Sequence, residues 1–238
     1  MVRRSNSAPV DRTCRKFLNA AEQLYIKHGY NGTTIRAIAA RAEVNLGTLH
    51  HYWGSKEAVF TELFERRFRP LQEAHLRRLR EIDEASRKGK PVDVREVVRA
   101  LIEPTFFLHT TPRKAQMFHQ LYGRVLSDPA PEMVRVMNDI FAEPVELFIK
   151  LLQQALPDVS PAEFRVRLNC VMGAYLFQEA FQDRIERFVP SVEAEEADKA
   201  GWIIDFLVAG LLAEQSAGAQ SGTADRAGRA STPADTDS

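Results

Sequence analysis

A chain of 238 residues has room for one sizeable core and a small appended domain, and 45% apolar with 9% aromatic residues excludes a disordered polymer. The zero formal net charge argues at first against nucleic acid, but residues 1–60 carry nine Lys and Arg against four Asp and Glu, while residues 189–238 carry three against nine; a basic head on a neutral or acidic body is the distribution of a small DNA reader with a separate second domain. Two distant cysteines support neither a disulfide framework nor a thiolate metal site, the N-terminal stretch lacks an apolar signal segment, and the longest apolar run (202–213) is too short to span a bilayer, so a soluble, cytoplasmic protein is expected.

Residues 1–10 read as a flexible basic arm. Over 11–28, Phe17, Ala20, Ala21, Leu24 and Tyr25 recur on one face of a first helix, with Gly29 as its stop. Thr33-Thr34 offers an N-cap for a short second helix whose inner face is Ile35, Ile38 and Ala39. Ala42-Glu43-Val44 is a tight turn, Asn45 caps a third short helix to about Tyr52 with Leu49 turned inward, and Trp53 closes this small core. Gly54-Ser55 ends one helix and caps the next. A long connecting helix follows over 56–90, with Pro70 inside it and a boundary at Arg87-Lys88-Gly89-Lys90-Pro91. Helical periodicity resumes at 93–109, 112–126, 131–156, 161–188 and 193–215, where Pro104 and Pro144 predict bends. Residues 216–238 are poor in large apolar side chains and read as a disordered tail. No segment carries a strand period, so the fold class is all-α. The expected division is an arm (1–10), a helix-turn-helix domain (11–55), a connecting helix (56–90), a helical-bundle domain (91–215) and the tail.

Residues 33–53, TTIRAIAARAEVNLGTLHHYW, form two short helices joined by a tight turn. The second spends only Leu49 on the core. Gly47 permits close approach, Thr48 can pair with phosphate or base, and His50, His51 and Tyr52 can donate. Such a face suits the floor of the major groove, which admits one helix and presents donors, acceptors and thymine methyls. Arg36 projects outward from the preceding helix, where a bidentate pair with guanine or phosphate is available.

With Gly29-Tyr30, Thr33-Thr34, Ile38-Ala39, Val44, Gly47-Thr48-Leu49, Tyr52-Trp53 and Ser55-Lys56-Glu57 at these spacings, the stretch from about Thr13 to Phe64 resembles the DNA-binding domain of TetR-family repressors. The resemblance implies an all-helical homodimer that binds a pseudo-palindromic double-stranded operator, with an inducer pocket in its C-terminal domain. Carried over by position, the DNA contacts are Thr34, Arg36, Leu46, Gly47, Thr48, His50, Tyr52 and Lys56. Three positions depart from the family pattern. His50 stands where tyrosine is usual and Trp53 where phenylalanine is usual. Glu43 occupies the glycine position of the turn, which forces a non-glycine residue into the left-handed region or reshapes the turn. The Leu126-Ser127-Asp128-Pro129 and Leu156-Pro157 junctions resemble those of regulators that sense fatty acids or their thioesters.

In the C-terminal half, Phe, Met and Leu exceed one inward face per helix, and Pro104 and Pro144 bend two walls, so a mainly apolar pocket for a small hydrophobic effector, acyl or aromatic, is expected. Its lining candidates are Ile102, Phe106, Phe107, Met117, Leu121, Phe148 and Tyr175, with His109, Gln178 or Arg113 at a polar end; singly, the methionines and phenylalanines read more often as plain core, and only their number points to a cavity. Cys170, Gly173 and Phe177 share one face of the 161–188 helix, and the last helix is apolar all round, a pattern that needs cover on every side. With Ile203, Phe206, Leu207 and Gly210 they form the expected two-fold interface. The histidines fall into no metal-ligand spacing, and no nucleophile or phosphate-loop pattern occurs, so neither metal, cofactor nor enzymatic activity is expected.

Overall fold

The computed structural model describes residues 8–108, 111–186, 188–189 and 194–214; the side chains of residues 8–11, 48–50, 112–114, 176 and 178–186 lie outside that description. The described residues form nine α-helices and no strand: α1 (Ala8–Gly32), α2 (Ile35–Ala42), α3 (Leu46–Tyr52), α4 (Lys56–Arg87), α5 (Val94–Phe107), α6 (Pro112–Leu126), α7 (Pro131–Ala155), α8 (Pro161–Glu186) and α9 (Glu196–Leu211). Most of the expected arm, and the tail from residue 215 on, fall outside the described residues, whereas the last residues of the arm already belong to α1.

Local chemistry sets the head. Thr34 and Ser55 lie in extended conformation and accept hydrogen bonds from the Ala37 and Ala58 amides, capping α2 and α4; each such cap contributes about 1 kcal/mol. Asn45 Oδ1 accepts from the Gly47 amide at 2.9 Å. Glu43 is left-handed (φ 56, ψ 43), the one described non-glycine residue with positive φ, and its amide returns to Ala39 and Ala40 carbonyls to close α2. The sequence places a residue with a Cβ where glycine is cheaper, and the turn keeps its shape at that cost. Beneath these turns Phe17 stacks on Trp53 (centroids 5.2 Å apart), and Tyr25 meets Phe60 and Phe64 at 5.2 and 5.1 Å. The Trp53 indole N–H donates to Glu62 at 2.7 Å, so the ring is pinned at both ends. Buried Glu22 on α1 pairs with Arg67 on α4.

The body is a helical bundle around α4. Its apolar stripe, from Val59 through Phe68 and Leu71 to Leu79, is buried, and α4 continues through exposed Pro70 without a break. α7 packs along α4, α8 along α6, and α9 along α5. Pro104 and Pro144 are both buried within continuous helices. Arg167 on α8 donates to the terminal carbonyls of Leu211 and Ala213, which neutralises the negative end of α9, and Arg95 on α5 pairs with Asp205.

Candidate nucleic-acid interface and cavity

The outward surface of α2 and α3 carries little that the core needs. Thr34, Arg36 and Gly47 are exposed; Leu46 and Tyr52 are half-buried. Thr48 and His50 sit on α3, but their side chains lie outside the described residues, as does Leu49. His51, not among the expected contacts, is exposed beside them and meets Tyr52 edge-on at 5.3 Å. Arg41 is held by Gln23, Nε to Oε1 at 2.8 Å, which leaves Arg36 as the guanidinium of α2 without a described partner. Lys56 opens α4 with its ammonium 3.9 Å from the centre of the Tyr30 ring. Partial burial lowers its pKa, and Glu132 and Asp128 oppose that shift. The aromatic seat orients the cation while keeping it positive.

A second polar cluster joins this head to the body. α1 breaks at Gly29 (φ 67, ψ −174), which frees the Tyr30 amide from helical bonding. The buried Asp128, in the α6–α7 junction, accepts that amide on Oδ2 at 2.8 Å and the Ala130 amide on Oδ1 at 3.0 Å. Glycine is required at Gly29 for its φ; a Cβ there would come within 2.3 Å of Arg124 Nη2 and 3.0 Å of Asp128 Oδ2, so the tip of the Arg124 side chain would have to move. Tyr25 is buried beside the same pair; burial, then the Asp128 carboxylate, drives its pKa upward. On the outer side Arg135 of α7 reaches Glu57 at 3.3 Å. Nothing in the local sequence around Asp128 announced a bond to a residue so distant in the chain.

A cavity of about 530 Å³ opens in the body between α7 and α8, with α4, α5 and α6 behind it. Leu79, Leu101, Met137, Phe141 and Met172 supply an apolar wall, and Pro144 forms part of the α7 side. Of the expected lining residues, Tyr175 is on the wall. Ile102, Leu121 and Phe148 turn into solid core, at most 2% exposed; Phe106 and Met117 are half-buried elsewhere; and Phe107 is 49% exposed. His109, and the Gln178 and Arg113 side chains, lie outside the described residues. Tyr122 and Tyr175 on the wall begin a hydroxyl chain that runs into the core: Tyr175 OH lies 3.3 Å from Tyr122 OH and 2.7 Å from the buried Thr105 Oγ1. His75, 2% exposed, donates from Nε2 to the Leu101 carbonyl at 3.1 Å. Burial pushes its pKa down to about 4, so the ring is neutral near pH 7. His75 and Tyr122 were not anticipated from sequence. The only hint was a polar residue at helical spacing from Leu71 and Leu79 within an apolar stripe.

On the far side, Cys170, Gly173 and Phe177 of α8 are exposed, as are Phe206 and Gly210 of α9; Ile203 is half-buried. Gly173 also borders the cavity. Leu207 turns into the protomer's own core, because α9 seats Ile204, Leu207, Val208 and Leu211 inward. Trp202 (62% exposed) and Phe206 (74%) remain on the outer face. Among the described residues no group of three or more His, Cys, Asp or Glu could hold a metal ion, and no helix is long and apolar enough to cross a membrane.

This architecture, a capped helix-turn-helix fused through a long helix to a cavity-bearing bundle, is that of a DNA-binding transcription regulator. Residues 17–63 match the family described as bacterial regulatory proteins, tetR family, and residues 99–210 match the tetracyclin repressor-like C-terminal domain. The chain belongs to the TetR family of transcription regulators. It is 40% identical over 48 residues to the HTH-type transcriptional regulator QacR of Staphylococcus aureus, a match covering 20% of this chain and 26%, about a quarter, of that protein. Its fold resembles the fatty acid degradation regulator FadR of Bacillus halodurans (TM-score 0.54, 20% identity, 85% of this chain and 97% of that one). It also resembles FadR of Bacillus subtilis in complex with stearoyl-CoA (TM-score 0.53, 14% identity, 82% and 98%).

Proposed function

We propose that this regulator is a repressor that binds a pseudo-palindromic operator as a two-fold homodimer and leaves it when an apolar small molecule, acyl or aromatic, enters the cavity. The observation that carries this reading is that cavity and head share two helices. α4 begins at Lys56 under the helix-turn-helix and lines the cavity with His75 and Leu79. α6 lines it with Tyr122 and Leu126 and, between them, places Arg124 against Gly29 of α1. An occupant that shifts α6 acts on the Gly29–Asp128 junction and so on the spacing of the two heads. It does so only if it prefers one spacing, because a ligand indifferent to both states shifts neither. Relief of repression by about a hundredfold corresponds to roughly 2.7 kcal/mol of coupling, within the ordinary range. The stearoyl-CoA complex of the B. subtilis FadR fold relative supports an acyl class of effector.

The dimer reading rests on Trp202, Phe206 and Leu212, large apolar side chains left on the outer face of α9 and just beyond it. A charge there should split the dimer, since an unpaired carboxylate at an apolar interface is costly. Selection of bound duplexes from a random pool by the full chain should enrich an inverted repeat, with affinity falling steeply as salt rises. Phe206→Glu should give monomers by light scattering and lose that enrichment. Enrichment of non-repeated sequences, or a wild type monomeric at micromolar concentration, contradicts the proposal.

A further inference from the structure

We infer that Tyr30 is a positioning residue for operator binding: its ring seats the Lys56 ammonium for a phosphate, and its amide, held by Asp128, ties that seat to the body. The inference rests on the DNA-binding, ligand-responsive reading above and names the point at which the state of the body reaches the DNA-contacting surface.

Three observations carry it. First, Lys56 is the first residue of α4, at the helix end whose dipole disfavours a cation. Its four-carbon stem is flexible, so a group outside its own turn must hold the charge in one place. The Tyr30 ring does this, with its centre 3.9 Å from the ammonium. An ammonium over one ring face keeps N–H donors on its far side for a phosphate oxygen. Second, the ring is itself fixed. Tyr30 is 7% exposed and meets Phe60 of α4 edge-on at 5.4 Å, so the seat and the lysine share one frame. Third, the Tyr30 backbone is bonded to the body. The break at Gly29 releases its amide, and Asp128 accepts it at 2.8 Å while accepting the Ala130 amide at 3.0 Å. Asp128 follows closely on Leu126, the last residue of α6, which lines the cavity. The path from the cavity wall to the cation is therefore Leu126, Asp128, Tyr30 and Lys56. The partial burial that lowers the Lys56 pKa, and the opposing pull of Glu132 and Asp128, agree with a cation held close to this junction.

Contact is not coupling, so the test is a double-mutant cycle on the full chain with no effector present. Tyr30→Leu, Lys56→Ala and the double variant are titrated by anisotropy against the selected duplex and a scrambled one over a series of salt concentrations. Tyr30→Leu should weaken both duplexes alike, by about tenfold, and reduce the salt dependence as Lys56→Ala does. Tyr30→Phe keeps the ring and should bind as the wild type does. In the Lys56→Ala background, Tyr30→Leu should change affinity by less than about twofold, because the cation it positions is gone. Should Tyr30→Leu fail to fold, Asp128→Asn takes its place in the cycle, weakening the wild type severalfold and Lys56→Ala by less than about twofold. Additive losses, an unchanged Tyr30→Leu, or a Tyr30→Phe as weak as Tyr30→Leu overturn this inference while leaving operator binding standing. A wild type that binds neither duplex removes the DNA-binding reading and the inference with it.

Discussion

The head and the body of this protein solve opposite packing problems with the same kinds of residue. In the head, Phe17, Tyr25, Trp53, Phe60 and Phe64 close on one another at ring spacings of 5.1–5.9 Å. In the body, Tyr122, Phe141 and Tyr175 stand 6.2–6.3 Å apart and border a cavity of about 530 Å³. A DNA-reading helix must hold its side chains to a fixed register, so its support is solid. A sensor needs room that an occupant can fill, and forgoes the dispersion contacts a filled core would have made. The two share a continuous apolar core through Phe64, Phe68 and Phe118, and beside it Gly29, Arg124 and Asp128 add a polar joint. A junction of directional bonds has discrete arrangements, which suits it to switching between states.

The comparison can be broken hardest at that joint. Gly29→Ala places a Cβ at positive φ and displaces the tip of Arg124, and should cost about 1–3 kcal/mol, mainly from backbone strain. Urea denaturation reads this directly; a loss below about 1 kcal/mol would mean that the junction is not rigid. Asp128→Asn, which keeps the shape but weakens acceptance from the Tyr30 amide, should cost less and change operator affinity more than it changes overall stability.

The body's buried imidazole gives the next largest effect. His75 in the unfolded chain takes up a proton near pH 6.5, and in the folded chain only near pH 4. The unfolded state therefore binds more protons throughout that window. The stability due to the neutral ring is fully present above pH 6.5 and is lost as pH falls toward 4, by up to about 3 kcal/mol. His75→Leu should flatten the wild-type curve between these limits, whereas parallel curves for the two proteins would show that the ring is solvated.

In the head, Arg36→Ala should cost about 1–3 kcal/mol at one operator position and relax specificity there, while Lys56→Ala should weaken all duplexes alike. Competition binding against single-base operator variants separates the two. The smallest expected change is a gain. Glu43→Gly relieves a left-handed Cβ but frees the unfolded chain, for a net stabilisation of about 0.5–1 kcal/mol in thermal unfolding.

What could be read from the sequence divides along the same line. Thr34, Asn45, Ser55, Gly29 and the strained Glu43 act within a few residues of themselves, so their chemistry identified them and the helix-turn-helix they bound. The bundle helices were legible too, because apolar period survives at any depth. Which apolar side chain meets a neighbour and which meets empty space is not a property of one helix. Ile102, Leu121 and Phe148 have the same character as Leu79, Met137 and Phe141, and only the splay between α7 and α8 separates core from cavity wall. Leu207 and Phe206 show the same limit on α9, where adjacent residues of similar hydrophobicity face the core and the outside. The Asp128–Tyr30 bond joins residues 98 apart and has no local signature at all.

The most direct test of the whole account is operator affinity with the cavity filled by ligand or by a side chain. Val145 lines the cavity from α7, and Val145→Trp should occupy it. Anisotropy titrations should show the tightest binder among fatty acids, their thioesters and aromatic compounds weakening wild-type binding to the selected duplex by about a hundredfold, with the variant insensitive to it whatever its own starting affinity. Equal responses to that ligand in the two proteins, or a wild type that no apolar ligand moves, would contradict the claim that occupancy of this cavity sets the hold of the head on DNA.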